Sequence, residues 1–537
     1  MTAFQWFVFF LIIQLVHGLG TWKLYEKAGR KPLEAFIPVY NSIILMKIIN
    51  RPTWWTFLLF IPVINLIMFP VVWVETLRSF GKNSTTDTIL GIVTFGLYIY
   101  YVNYTQNVTY RQDRSTVATT KTGDTVSSLL FAIVVATLVH TYLIQPFTIP
   151  SSSLEKSLLI GDFLFVSKVN YGARVPMTTV AAPMVHDTLP LLNTKSYLYS
   201  DSDKTSWKNK LQLPYFRLPG FETIKNNDIV VFNWPADTLF NMYLPADRRY
   251  DKPKDKKTNY VKRCVGIPGD SLQIKDGIVF INGKELILPE RARPQYSYRI
   301  VYDGKTPIDI DYLLKSMDVT DGIDYISATK DTIGIRSLTF ENAERFKKVP
   351  GITSVIRVIK KSYEDNPVFP NAANDKLTTP NNWSCDNYGP IYIPQAGKTV
   401  NLGLKSLPFY RKIISEYEGN TLKVVGNDIF INDKKATTYT FNQNYYWMMG
   451  DNRHNSLDAR YFGYTPEDHV VGKPIFIWMS WDSNGKGINK VRWDRVFTTV
   501  SGEGQPQSYF KYFLIALALY FGIDYFLKKR KEKKENL

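Results

Sequence analysis

Three serines stand in a row behind a proline, Pro150-Ser151-Ser152-Ser153, directly after a long apolar run. A hydroxyl becomes a nucleophile only when a base takes its proton, so the first question is which group that base is. Histidine is the usual choice, and the chain has five: His17, His140, His186, His454 and His469. The first two lie in apolar windows, and His186-Asp187 lies in a polar, loop-like stretch. No Gly-x-Ser-x-Gly elbow marks a nucleophile, and a Ser-His-Asp set assembled in space stays open. A lysine can replace histidine when burial makes it neutral at working pH. Lys262, in NYVKRCVGIPGD (259–270), is such a candidate. Strand alternation puts Tyr260, Lys262 and Cys264 on one face and turns Arg263 to the other; the competing reading is an exposed edge-strand lysine. A third stretch, WMMGDNRHNSLDARYFG (447–463), is dense in hydrogen-bonding residues. Ser456 there could orient an amine, and Asp458 with Arg460 could brace the loop. Taken alone, a turn rich in Asx residues with a surface salt bridge explains it equally well.

These groups need elements to hold them, and the first such elements are apolar helices. Charge is absent from 4–20 and scarce in 54–74, 88–104, 126–146 and 509–527. A ~30 Å hydrocarbon core takes roughly 20 such residues, so the sequence predicts four to five spans. No Lys or Arg precedes Lys23, which favours a retained first helix over a cleaved leader. Basic residues crowd 23–51, 111–121 and the tail 528–537. By the positive-inside rule five spans put all three clusters in the cytoplasm and 147–508 outside, with Arg78 and Lys82 running against this. The net charge of +17 then reflects orientation and a basic outer domain suited to anionic lipid. Nucleic acid is a poor partner for a domain on the far side of a membrane.

The outer region reads as short strands: 162–169, 228–234, 259–267, 271–283, 421–433, 445–450 and 474–481. DSLQIKDGIVFINGK (270–284) and NTLKVVGNDIFINDK (420–434) match in register, predicting two similar β-hairpins. The residues between them, about 286–419, read as an inserted β-rich subdomain, and the polar stretch 172–222 as surface loop. Cys264 and Cys385 are either a disulfide or two independent buried thiols.

In this order and context the motifs resemble type I signal peptidases, the Ser/Lys membrane proteases. That family carries Pro-Ser-x-Ser-Met past its anchor, then Gly-Asp-x-Val-Val-Phe, Tyr-x-Lys-Arg-x-x-Gly-x-Pro-Gly-Asp and Gly-Asp-Asn-x-x-x-Ser-x-Asp-Ser-Arg. Here they read PSSSL (150–154), NDIVVF (227–232), YVKRCVGIPGD (260–270) and GDNRHNSLDAR (450–460). The resemblance covers about a quarter of the outer region and none of the first 125 residues. It implies a mainly β catalytic domain (147–508) with an inserted subdomain, anchored by several transmembrane helices. It also implies Ser153 as nucleophile and Lys262 as general base, with Ser151 and the Ser153 backbone N–H forming the oxyanion hole. Ser456 would orient Lys262, Asp458 and Arg460 would support the loop, and Ser152 would be dispensable spacing. Phe147 and Ile149 would line the substrate cleft. No metal and no cofactor is implied. The implied substrates are secretory preproteins with small residues at −1 and −3, cut at the outer face of a bacterial cytoplasmic membrane, with membrane lipid and a translocase as further partners. Departures are local: Leu154 for Met, Lys156-Ser157 for Pro-Thr, Asn227 for Gly, His454 for an acidic residue and Ala459 for Ser.

Two rivals remain. Ser153-Leu154-Glu155-Lys156 also fits the Ser-x-x-Lys of penicillin-binding proteins, but the only Lys-Thr-Gly, 121–123, lies upstream and on the cytoplasmic side. A membrane-anchored β scaffold would explain the insertions but not the Lys262 and Ser456 stretches together.

Overall fold

In the computed structural model, the strand Asn259–Gly266 lies between Ile229–Asn233 and Tyr445–Met449, antiparallel to both. Both neighbours are buried at every residue, which is why IVVFN and YYWMM read as unbroken apolar runs rather than alternating ones. Lys262 faces Val230 across the ladder, so it belongs to an interior strand and the edge-strand reading falls away. The structure describes all residues except 118–119, 243, 246, 329–330, 362–366, 371–381, 503 and 536–537.

The chain divides into two units. The second comprises Ile144–Gly172, Pro219–Ala236 and Asn259–Leu537. Its main sheet runs Ile144–Thr148, Asp162–Ser167, Val470–Ser480, Ile229–Asn233, Asn259–Gly266, Tyr445–Met449 and Thr465–Pro466, with Thr498–Thr499 beside Val470–Ser480. The long strand Val470–Ser480 joins the halves, pairing with Ile229–Asn233 at its start and with Asp162–Ser167 beyond. The three serines therefore sit in the connection between the first two strands. That connection is closed at its base, where Ile149 N donates to Asp162 O and Gly161 N donates to Ile149 O.

The two predicted hairpins form as matching three-stranded meanders. Leu272 pairs with Ile281 and Leu422 with Ile431. In each, an asparagine (Asn282, Asn432) with positive φ turns the chain and its side-chain oxygen accepts a backbone N–H from Ser271 or Thr421. The inserted subdomain is shorter than 286–419. A four-stranded sheet of Gln295–Tyr302, Ile323–Ile326, Thr332–Thr339 and Ile352–Arg357, with helices Ile310–Ser316 and Phe340–Phe346, has its own core. By contrast, Tyr388–Tyr392 returns to pair with Ser271–Lys275, and Leu407 of the helix Leu407–Lys412 lies in the main core.

The first unit comprises Met1–Leu143, Ala173–Leu218 and Asp237–Thr258. Across the whole chain, three helices among the described residues are long and apolar enough to cross a membrane: Ala3–Lys27, Lys121–Leu143 and Phe510–Glu532. The expected spans 54–74 and 88–104 are not single helices. The first breaks between Trp55–Leu58 and Asn65–Ser79, at Pro62 and a left-handed Val63; the second breaks between Thr85–Val93 and Tyr98–Thr105, at left-handed Phe95 and Gly96. Hydropathy windows do not register such breaks; proline and positive φ impose them. The stretch read as surface loop, 172–222, is tied down within this unit. Lys252 bonds the buried Asp237 and also reaches Asp187, which Lys195 holds from the other side.

Gly161 has φ +86 and a Cβ there would lie 1.9 Å from Trp481 O. Gly161→Ala combines left-handed strain with a backbone clash. It is expected to lower unfolding stability by about 2–4 kcal/mol, read as a fall in the thermal midpoint of the detergent-solubilised protein.

Candidate active site

Lys262 is 4% exposed and its Nζ donates to Ser153 Oγ at 2.6 Å. Once the amine is neutral, the same short contact lets the hydroxyl donate instead, which is the geometry of proton abstraction. Burial pushes the Lys262 ammonium down from the ordinary lysine value to about 8, against the opposing pull of Asp458 and Asp451. Those carboxylates do not cancel the effect because each is held by a guanidinium. Arg263, turned to the other face as alternation requires, forks onto Asp451 at 2.8 and 2.6 Å and donates its third contact to Asn227 O. Arg460 forks onto Asp458 at 2.9 and 2.8 Å, and Gly450 N donates to the same carboxylate. The Asp458–Arg460 pair is thus buried, not the surface salt bridge that the turn by itself suggested.

The loop after Tyr445–Met449 reaches the serine segment directly. Asn452 N donates to Ser153 O at 3.1 Å and Asn452 Nδ2 to Ser152 O at 3.1 Å. Ser157 Oγ donates to Asp451 Oδ2 at 2.5 Å. Ser456 lies in this loop against Gly450, where an added Cβ would be 2.2 Å from Ser456 Oγ and 2.6 Å from Ser153 O. Its hydroxyl is buried with no hydrogen-bond partner among the described residues, so it stands beside the Ser153 backbone without bonding Lys262. Ser151 is exposed and extended, one residue ahead of the short 3-10 turn Ser152–Leu154. Ile149 is 3% exposed and packs with Leu154, Leu158, Leu164 and Val231. Of the two proposed cleft residues, only the half-buried Phe147 keeps surface for an occupant.

Sequence reasoning passed over several groups here. Ser152 is more than spacing: Asn455 Nδ2 donates to its hydroxyl at 3.1 Å. Arg263, Asn452, Asn455 and Ser157 join the three stretches, and only the density of hydrogen-bonding residues in the GDNR loop hinted at it. Asp321, from the inserted subdomain, accepts from Asn452 and Asn455 at 2.7 and 3.0 Å; nothing in the sequence pointed to it.

Cys264 and Cys385 are buried and not bonded to each other. Cys385, Asp386 and His454 bring donor atoms within 4.8 Å of one another, close enough to hold an ion. The hydrogen bonds argue otherwise. Ser297 N donates to His454 Nδ1, so Nε2 carries the proton and gives it to Asp386 at 2.9 Å. A metal at Nε2 would need an imidazolate. The residues fit a hydrogen-bonded pair.

A serine hydroxyl 2.6 Å from a desolvated amine has the parts of a Ser/Lys hydrolase. The family described as signal peptidase, peptidase S26, matches residues 122–327 and 396–481, more than half of the chain. The signal peptidase I of Haemophilus influenzae is 23% identical over 386 residues, covering 70% of this chain and 74% of that protein. The signal peptidase I of Helicobacter pylori is 24% identical over 388 residues, covering 70% and 92%. That of Buchnera aphidicola subsp. Baizongia pistaciae is 21% identical over 375 residues, covering 69% and 82%. Residues 33–113 match a separate family of unknown function (DUF5684). The chain belongs to the signal peptidases of peptidase family S26. It is a hydrolytic enzyme with apolar helices suited to a membrane.

A lysine whose value falls to about 8 on folding binds fewer protons folded than unfolded between that value and the ordinary one. The cost of burying it is complete below pH 8 and vanishes as the pH approaches about 10.5. Lys262→Met is therefore expected to raise stability at pH 7 by up to about 3 kcal/mol. The gain should fade in thermal melts repeated toward pH 10.5; no gain at pH 7 would mean the amine is solvated.

Proposed function

We propose that the chain cuts N-terminal signal peptides from exported preproteins through an acyl-enzyme on Ser153. The observation that carries this reading is the 2.6 Å contact between Ser153 Oγ and the buried Lys262 amine. Neutral Lys262 takes the hydroxyl proton as Oγ attacks the carbonyl of residue −1. The Ser151 hydroxyl and the Ser153 backbone N–H hold the oxyanion, each such donor being worth about 3 kcal/mol. Collapse expels the amine of the mature protein, which takes the proton from Lys262. Water then gives a proton to Lys262 as it attacks the ester, and collapse returns that proton to Ser153 Oγ and frees the signal peptide acid, which ionises in water. Ser456, buried beside Gly450, limits the room around the dyad, and Asp458 with Arg460 holds the loop. Small residues at −1 and −3 suit a cleft bordered by Phe147.

The same reading places the catalytic unit on the outer face of a bacterial cytoplasmic membrane. With three spans, the basic stretch 28–120 and the tail share one side, and Arg78 and Lys82 now agree with the other basic residues.

Cleavage of a purified model preprotein should be lost in Ser153→Ala and in Lys262→Ala while both remain folded; near-wild-type turnover in either would end the assignment. The scaffold reading is tested by a serine-reactive lipopeptide inhibitor, whose label should disappear in Ser153→Ala. Because the base must be neutral and its value is about 8, kcat/KM should rise about tenfold between pH 7 and pH 9. A flat profile over that range would contradict a lysine base.

A further inference from the structure

The inserted subdomain presents one short loop, Asp318 to Asp321, to the nucleophile segment. Lys156 Nζ donates to Asp318 Oδ2 at 2.5 Å, and Asp321 reaches Ser152 through Asn452 and Asn455, whose Nδ2 groups donate to Ser152 O and Ser152 Oγ. Asp321 Oδ2 also accepts from Asn452 Nδ2 at 2.7 Å, Asn455 Nδ2 at 3.0 Å and Ser337 Oγ at 2.5 Å. One carboxylate therefore ties together the turn that carries Ser153 and the loop whose Asn452 N–H holds the Ser153 carbonyl. Burial works against ionisation of Asp321, but its hydroxyl and amide donors outweigh burial and keep it below the usual carboxylate range. A carboxylate at that junction is acceptor-only and can receive several donors at once, and here all three land on the one oxygen Oδ2.

The turn itself is irregular. Ser152–Leu154 forms a single 3-10 turn and Lys156 has φ +70. The segment's backbone bonds close the turn on itself, Glu155 N to Ser152 O and Leu158 N to Leu154 O, so its position against the sheet depends on ties from its surroundings.

We propose that Asp321 is a positioning residue for acyl transfer, and that the inserted subdomain completes the active site by clamping the Ser152–Lys156 turn. The proposal rests on Ser153 being the nucleophile. A displacement of about 1 Å between a nucleophile and its base can cost about 10²-fold in rate, so loosening the clamp acts on kcat rather than on substrate affinity. With the full-length protein and the same model preprotein, Asp321→Ala is expected to lower kcat at least tenfold and leave KM within twofold. Asp321→Asn, which keeps an acceptor, should recover most of the loss. Ser152→Ala cuts the same tie from the other side and gives a second reading should Asp321→Ala fail to fold. It should lower kcat, and adding Asp321→Asn to it should cost little more. Folded Asp321→Ala with kcat within threefold of wild type, or a change confined to KM, would overturn the clamp. Ser153→Ala, run alongside, separates the two claims: activity surviving in that variant defeats the nucleophile assignment itself, whereas its loss with intact Asp321→Ala turnover defeats only the clamp.

Discussion

The rest of the active-site architecture depends on keeping one amine out of water. A lysine ammonium is strongly hydrated, and only a desolvated one approaches neutrality at physiological pH. Lys262 achieves this on an interior strand between two strands that are buried throughout. Two aspartates nearby would undo it, since a bare carboxylate a few ångströms away stabilises an ammonium by about 4 kcal/mol at an effective dielectric of 20. Each aspartate has a bidentate arginine of its own, Arg263 for Asp451 and Arg460 for Asp458. The guanidiniums absorb the negative charge, and desolvation keeps the upper hand at Lys262.

The serine segment facing this amine is organised differently. Ser153 sits in a connection between strands, not in a strand, and is fixed by ties from outside: Asn452 on its carbonyl, Asp451 on Ser157 and the Asp321 network on Ser152. A loop held in this way is positioned without being regular, and it can present the Ser153 hydroxyl because its backbone need not serve a ladder. In the proposed mechanism a rigid strand supplies the base, and the turn between two strands supplies the nucleophile.

Legibility in the sequence followed the range of the forces involved. The twin meanders were readable because Asp276-Gly277, Asn282-Gly283 and their counterparts near 426–433 impose tight turns locally. The Lys262 face and the opposite orientation of Arg263 followed from strand alternation alone. The spans at 54–74 and 88–104 misled because average apolarity does not see Pro62 or the left-handed Phe95-Gly96 pair. The insertion was drawn too long because the return of Tyr388–Tyr392 to Ser271–Lys275 is a pairing between strands distant in sequence. Ser152 was read as spacing because its partner Asn455, and Asp321 behind it, come from segments with no local relation to it.

By itself the sequence determined the chemistry on offer: a hydroxyl cluster behind an apolar helix, a strand lysine in apolar company, and a polar loop with a carboxylate–guanidinium pair. Side-chain type and short-range periodicity are properties of the chain, and they survive without a fold. The tertiary structure alone decided that Ser153 is the serine beside Lys262, that Asp458–Arg460 is buried, that Ser456 leaves the amine unbonded, and that an inserted subdomain reaches the turn carrying Ser153. Those outcomes depend on distances of a few ångströms between residues a hundred or more positions apart, and only the packing of the sheet sets such distances.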